Sequence, residues 1–570
     1  MGKTHKKGEK TYSFDVFDTC LARICGEPKY LFDILSWKVI QTIGINPYEQ
    51  EYLRQLFVAT RIECGGAGSL IDIYENVKRL FPLPLTSTEM ANMEMEMESE
   101  VLVPIKATLD LIREKRSDGR IMFITDMYLP TDFIRNQLQR HGFYQNEDSL
   151  YVSNDVGYAK RDGKLFQYIH EHENIPYRKW YHYGDARKSD YSIPKKLGIN
   201  AHKINYKYLS YEKKWIDKIP STQFQYSAIT AGISRAIRLQ YGGNSNLCKF
   251  VSDISAPLMV SWVIEVMKNA TKAGISRLFF MARDTHSEYI IAKSLSKYYP
   301  HIECKYLFAS RESLLSPLAL KYFESVGLAS TTVKTAIVNT NSTGHSSEII
   351  NNLLTTNHYL PIHTFLFNYA NLYGSTIKLE SQIHTEISEY YSSNMCPIQI
   401  AKVPKVRIYI ELLFPLNFHK KTVGYEYHGN RIRPIFSNDS SDNVSVPHFQ
   451  SLKRENDFLL SSWSSAFMTT YMYHYSHEIL HSLAIPNLGE FVLAPRKEYI
   501  YYLNQFVLNG EKYVCKLTPH NILKKKYTWL LGSIVFTLPD TLGKILCKAI
   551  RSKAFFRIKK IFGKKLHIKF

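Results

Sequence analysis

The stretch that most constrains the fold is Tyr12-Ser13-Phe14-Asp15-Val16-Phe17-Asp18-Thr19-Cys20-Leu21. Tyr12, Phe14, Val16 and Phe17 are β-formers, so the run predicts a buried strand, Tyr12–Phe17, ending in a turn that displays carboxylates. Burying a carboxylate without a partner is costly. Asp15 and Asp18 therefore suggest a nucleophile beside a metal ion. The alternative is a pair of ordinary turn or cap aspartates.

Later stretches bear on that choice. Strands are predicted over 120–127, 150–153, 179–183 and 200–204, with helices between them. Alternating strands and helices imply a parallel sheet, and ligands of such sheets bind at the carboxyl ends of the strands. Polar clusters fall at those ends: Asp15 and Asp18, then Thr125-Asp126, then Lys160, then Gly184-Asp185 followed by Asp190. Between Pro28 and about Pro104 the pattern is mostly helical, and it reads as a helical insertion over the first strand's mouth or as a solvated helical face.

Asp15-x-x-Asp18-Thr19, Thr125-Asp126, Lys160 and Gly184-Asp185-x-x-x-x-Asp190, in that order, resemble the haloacid dehalogenase (HAD) superfamily over about residues 11–205. The resemblance implies a Rossmann-like parallel sheet with a helical cap at about 27–105. It implies Asp15 as a nucleophile forming an aspartyl-phosphate. A magnesium ion, which takes hard oxygen ligands, would be held by Asp15, the Phe17 backbone carbonyl and Asp185. Thr125 would bond a phosphoryl oxygen, and Lys160 would offset its charge. Asp190 would reach the ion through water or orient Lys160, and Lys164 is the alternative lysine. The chain departs from phosphatases of the superfamily at Phe17, where they carry a second Asp that protonates the leaving group and activates water.

In the second half, strands are predicted at 274–284, 305–311 and 335–339, again ending in polar residues. Ser342-Thr343-Gly344-His345-Ser346-Ser347 opens a helix and reads as an anion site or as an ordinary N-cap. Ala282-Arg283-Asp284, Ala309-Ser310-Arg311 and Thr343-Gly344 resemble phosphoribosyltransferase-like domains fused to dehalogenase-type domains in bacterial surface-polysaccharide assembly. That resemblance implies phosphoribosyl pyrophosphate as donor, with Arg283 and Arg311 on the pyrophosphate and Thr343 and Gly344 on the 5-phosphate. Asp284 joins them as a substrate-binding residue. The phosphatase would then act on a phosphorylated glycan, coupled to the transfer. Val338-Asn339-Thr340 stands where such transferases carry acids for ribose hydroxyls. His474, His477 and His481 share a helical face and read as packing residues.

The predicted domains are 11–207, a linker over 208–245, a second α/β domain over 246–515 and a basic amphipathic tail over 516–570. Residues 524–570 hold 13 Lys or Arg against the single acid Asp540, more than half of the formal net charge of +20. The apolar run Tyr527–Leu538 is shorter than the ~20 residues of a spanning helix. Leu542–Phe562 mixes Ile, Leu and Phe with Lys and Arg, and suggests a helix on an anionic membrane surface or a solubilising tail. No fold of nucleic-acid recognition accompanies the charge. The eight cysteines show no zinc spacing and Met1–Lys10 has no apolar core, so the expectation is a cytoplasmic protein, peripheral at the inner membrane face. Three readings follow: a magnesium phosphohydrolase coupled to a phosphoribosyl transferase, with a lipid-linked glycan as acceptor; a phosphatase with a glycan-binding half; and a membrane-bound scaffold with decayed sites.

Overall fold

A computed structural model of the chain describes residues 10–63, 68–217, 224–243, 245–342, 345–369, 386–391, 420–438 and 449–471, with short stretches between 479 and 545. Two compact units divide between Asn244 and Ser245, the stretch from Ala466 being counted with the first. The architecture is α/β in both.

The first unit begins with β1 (Lys10–Phe14) and the short β2 (Leu21–Arg23). Helices α1 (Pro28–Ile43), α2 (Gln50–Glu63), α3 (Leu70–Leu80) and α4 (Ser87–Val101) follow. Local sequence dictates their limits. Gly44 at φ 68° ends α1, while Ser69 with Asp72 and Thr86 with Glu89 form capping boxes that start α3 and α4. The chain returns through β3 (Leu102–Pro104), antiparallel to β2, so one narrow ribbon carries the helical block on the sheet unit.

Then come α5 (Lys106–Lys115), β4 (Gly119–Thr125), α6 (Thr131–Arg140), β5 (Ser149–Val152), α7 (Ser153–Val156) and α8 (Lys164–Glu173). They are followed by β6 (Trp180–Gly184), α9 (Ile193–Lys196) and β7 (Asn200–Lys203). The sheet order is β5-β4-β1-β6-β7, and every pairing is parallel. The path moves to one side of β1 and then, from β6, to the other. The crevice of such a sheet lies where the order reverses, outside the carboxyl ends of β1 and β6. Met122, Ile124, Leu165, Phe166 and Trp180 form the core on one face.

Residues 208–245, expected as a linker, instead hold α10 (Ser210–Asp217) and α11 (Phe224–Tyr241). Ala228, Ala231, Ile233, Ala236 and Ile237 on α11 are buried, and Leu239 packs with Ala22 and Ile105 at the ribbon. The polar, Tyr-rich composition hid small apolar residues at helical spacing.

The second unit opens with α12 (Asn246–Phe250) and α13 (Ala256–Lys272), a stretch apolar enough to cross a membrane by composition but buried as a core element of this unit. It continues with β8 (Arg277–Met281), α14 (His286–Leu295), β9 (Glu303–Leu307), α15 (Ala319–Val326), β10 (Thr335–Ser342), α16 (His345–Thr356), β11 (His363–Tyr369) and β12 (Glu386–Tyr391). The order β12-β11-β10-β8-β9, all parallel, places its reversal between β8 and β10. An antiparallel hairpin, β13 (Thr422–His428) with β14 (Arg431–Phe436), packs Tyr425 into the core beside Tyr322. Thr343, Gly344, His474, His477, His481 and most of the basic tail lie outside the described residues.

Candidate active site

The turn after β1, which carries Asp15, is built by backbone bonds. β1 ends at Phe14, earlier than the sequence suggests, although the Asp15 amide still donates to Tyr183 O at 2.9 Å. Val16 O then accepts from the Cys20 and Leu21 amides at 2.8 and 2.9 Å and closes a tight turn. Asp18 within it has φ 56°, a left-handed conformation that Asp tolerates better than most residues. Its Oδ1 accepts from Arg235 Nη2 of α11 at 2.9 Å. Arg235 also donates from Nε to Tyr206 O at 2.8 Å, so Asp18 is tied to α11.

Lys160 joins two of the expected acids. Its Nζ donates to Asp15 Oδ1 at 2.5 Å and to Asp190 Oδ1 at 2.7 Å, and the side chain is only 3% exposed. Lys164, the alternative, is exposed. Asp126 fixes the lysine from its backbone side, since Asp126 Oδ1 accepts from the Lys160 amide at 2.8 Å. Asp190 is held on both oxygens: Oδ2 accepts from the Ala186 amide at 3.0 Å, and Oδ1 also faces His182 Nε2 at 3.4 Å. A Cβ at Gly184 would lie 2.5 Å from the Asp190 side chain, so only glycine lets β6 end beside that carboxylate.

The electrostatics follow from this crowding. Burial raises the Asp15 carboxyl well above its ordinary range, with Lys160 opposing the shift. Burial acts the same way on Asp190, but Lys160 and His182 outweigh it and hold that group below the usual carboxylate range. Burial, then the like charges of Asp18 and Asp190, pushes Asp185 up to about 6. His182 is buried and driven toward its neutral form.

Asp15, Asp185 and Asp190 each offer a carboxylate oxygen, and these atoms lie within 4.8 Å of one another. One lysine cannot offset three carboxylates, two of them buried and Asp185 half-buried. The donor set is all hard oxygen, which fits a magnesium ion. Both Asp190 oxygens already accept hydrogen bonds, so Asp15 and Asp185, with the Phe17 carbonyl in the same turn, would be the direct ligands of such an ion. Thr125 is buried at the carboxyl end of β4, beside β1.

The helical block reaches this edge through two buried ion pairs. Arg23 of β2 stacks over the Phe17 ring at 4.5 Å and donates from Nη2 to Glu98 Oε1 of α4 at 2.7 Å. Arg61 of α2 is paired with Glu94 of α4, which also accepts from Tyr74 OH at 2.6 Å and from Tyr128 OH at 2.7 Å. Tyr128 stands three residues after Thr125, so the block is bonded directly to the loop carrying that site residue.

In the second unit the reversal of strand order puts Arg283 and Asp284 at the crevice. Arg283 has φ 75°, and its amide donates to Tyr306 OH at 2.8 Å. Asp284 is exposed, as is Arg311 beyond the neighbouring β9. Glu288, not singled out by its sequence context, is fully buried in the first turn of α14. Neither of its carboxylate oxygens has a hydrogen-bond partner among the described residues. Asn339 Oδ1 accepts from the following Thr340 amide at 2.8 Å, so this side chain is turned to its own backbone.

The sequence reading singled out Asp126 beside Thr125 without a role of its own, and it missed His182, Ser13, Trp180 and Arg235. Those four carried no signal in the sequence.

No family model matches the sequence, and no curated protein matches it. Among solved structures the chain is similar to a HAD phosphatase from Thermococcus onnurineus, at 22% identity over 35% of this chain and 86% of that one, with a TM-score of 0.26. It is similar to the HAD-hydrolase YfnB from Bacillus subtilis bound to magnesium, at 16% identity over 36% of this chain and 92% of that one, with a TM-score of 0.27. It is also similar to L-2-haloacid dehalogenase from Xanthobacter autotrophicus, at 13% identity over 38% of this chain and 87% of that one, with a TM-score of 0.28.

Proposed function

We propose that the first unit is a magnesium-dependent phosphohydrolase with Asp15 as its nucleophile. The observation that carries this is the Lys160 ammonium bridging Asp15 and Asp190 with Asp185 alongside, all at the carboxyl edge of a parallel sheet. An Asp15 oxygen attacks phosphorus, the bond from phosphorus to the leaving oxygen breaks, and that oxygen takes the electron pair. Water then opens the acyl phosphate on Asp15 and releases inorganic phosphate. Lys160 aligns Asp15 and, with Thr125, offsets charge on the phosphoryl oxygens. Magnesium, held by Asp15, Asp185 and the Phe17 carbonyl, would draw charge from the same oxygens.

A sugar phosphate or phosphorylated glycan is the substrate class that the resemblance implies. For the second unit, the orientation of Asn339 favours a ligand-binding role over ribosyl transfer, with Arg283 and Asp284 at its crevice. Phosphate release from ribose 5-phosphate with and without magnesium tests the first unit. Release that needs the metal and is lost in Asp185→Asn supports the proposal, and metal-independent release counts against it. Pyrophosphate release from phosphoribosyl pyrophosphate in the presence of a glycan acceptor would overturn the binding role given to the second unit.

A further inference from the structure

A buried polar chain runs from the sheet's interior to the Asp15–Lys160 pair. Ser13 of β1 and His182 of β6 are opposite one another in register, and Trp180 lies two residues before His182. Trp180 Nε1 can only donate, and it does so to Ser13 Oγ at 2.7 Å. The Ser13 hydroxyl proton is therefore free to go to His182 Nδ1, 2.8 Å away; the other acceptor, Tyr181 O, is at 3.5 Å. With Nδ1 accepting, the ring proton of neutral His182 sits on Nε2, which faces Asp190 Oδ1. The opposite tautomer would aim a lone pair at a carboxylate. Phe166 of α8 stands edge-on to the imidazole at 5.0 Å between centroids and closes its remaining side.

We infer that His182 is a positioning residue: fixed as its Nε2–H tautomer by Ser13 and Trp180, it orients Asp190, which in turn holds Lys160 against Asp15. Asp190 Oδ1 then has two donors and Oδ2 has the Ala186 amide, so its carboxylate has one orientation. The inference deepens the proposed phosphohydrolase site, but only its activity readout depends on that reading.

Two measurements test it on the full chain. In nitrogen-15 spectra of histidine-labelled protein, His182 is expected to show a protonated Nε2 and an unprotonated Nδ1. A protonated Nδ1 overturns the inference whatever the enzyme does. In magnesium-dependent hydrolysis of p-nitrophenyl phosphate, His182→Gln, whose amide nitrogen reaches the Nε2 position, is expected to keep kcat within about threefold. His182→Asn, which reaches only the Nδ1 position, is expected to lose about tenfold or more in kcat with little change in KM. Equal activity of the Gln and Asn variants, or a better Asn variant, contradicts the positioning role. A wild type with no hydrolysis overturns the phosphohydrolase reading and leaves the tautomer measurement to decide this one.

Discussion

The Arg23 guanidinium lies 4.5 Å over the Phe17 ring, so the residue two positions after the proposed nucleophile, Asp15, is packed against a cation and offers no proton. Asp18, the next acid along, is ion-paired with Arg235. A leaving group must then depart without a proton from residue 17 or 18. Aryl phosphates are expected to be cleaved much faster than alkyl phosphates, and Phe17→Asp is expected to narrow that gap by about a hundredfold, the lower end of the range for general acid catalysis. Rates across leaving groups of graded basicity measure this; a flat dependence in the wild type would place an unrecognised acid at the site.

Asp185 gives a pH dependence. Its carboxyl, raised to about 6 in the folded chain, lies above the ~3.9 of an unfolded aspartate. Its contribution to the stability of metal-free protein is therefore fully present below ~3.9 and lost as pH rises through about 6. A metal ion competes with that proton. Magnesium is expected to bind more tightly as pH rises through this window and to raise the melting temperature more at pH 7 than at pH 5. Calorimetry with and without magnesium reads both effects, and metal stabilisation that does not change with pH would contradict them.

The Arg23–Glu98 pair, 3% and 1% exposed, ties the helical block to the sheet unit. Removing one partner of a buried pair strands the other charge. Glu98→Ala is expected to cost about 3–5 kcal/mol in urea unfolding, whereas Arg23→Met with Glu98→Leu is expected to recover most of that loss. A double variant no more stable than Glu98→Ala would show that geometry specific to the pair, rather than stranded charge, sets the cost.

Glu288 is expected to be a stability defect at neutral pH. Burial raises its carboxyl well above the ordinary value, so its stabilising protonated form is favoured below the unfolded value of ~4.3 and the penalty grows as pH rises. Glu288→Met removes a polar group of similar length that has no hydrogen-bond partner among the described residues, and it is expected to be about 1–3 kcal/mol more stable than wild type at pH 8. The gap should shrink toward pH 5. Equal stability at both values would mean that the carboxyl is hydrogen-bonded in solution.

The first unit was legible because the Asp15, Thr125 and Asp185 motifs each followed a strand whose apolar run was unmistakable. Lys160 looked like an ordinary solvated lysine, yet it is the residue that gathers the others. His182 and Ser13 could not be read: each sits within a strand, where polar residues usually face solvent, and only register brings them together. The supposed linker was misread because its helices bury Ala and Ile among Arg, Ser and Tyr. Arg235 belongs to that segment, so its hold on Asp18 was hidden with it. In the second unit Arg283 and Asp284 were found at a strand end, but Glu288 reads as a normal first-turn acid until its burial is known.

The most direct measurement is magnesium-dependent release of p-nitrophenol from p-nitrophenyl phosphate by the wild-type chain and by Asp15→Asn. The account predicts release by the wild type and a loss of about a hundredfold or more in the variant, as expected when a covalent nucleophile is removed. Release by Asp15→Asn at the wild-type rate would contradict it.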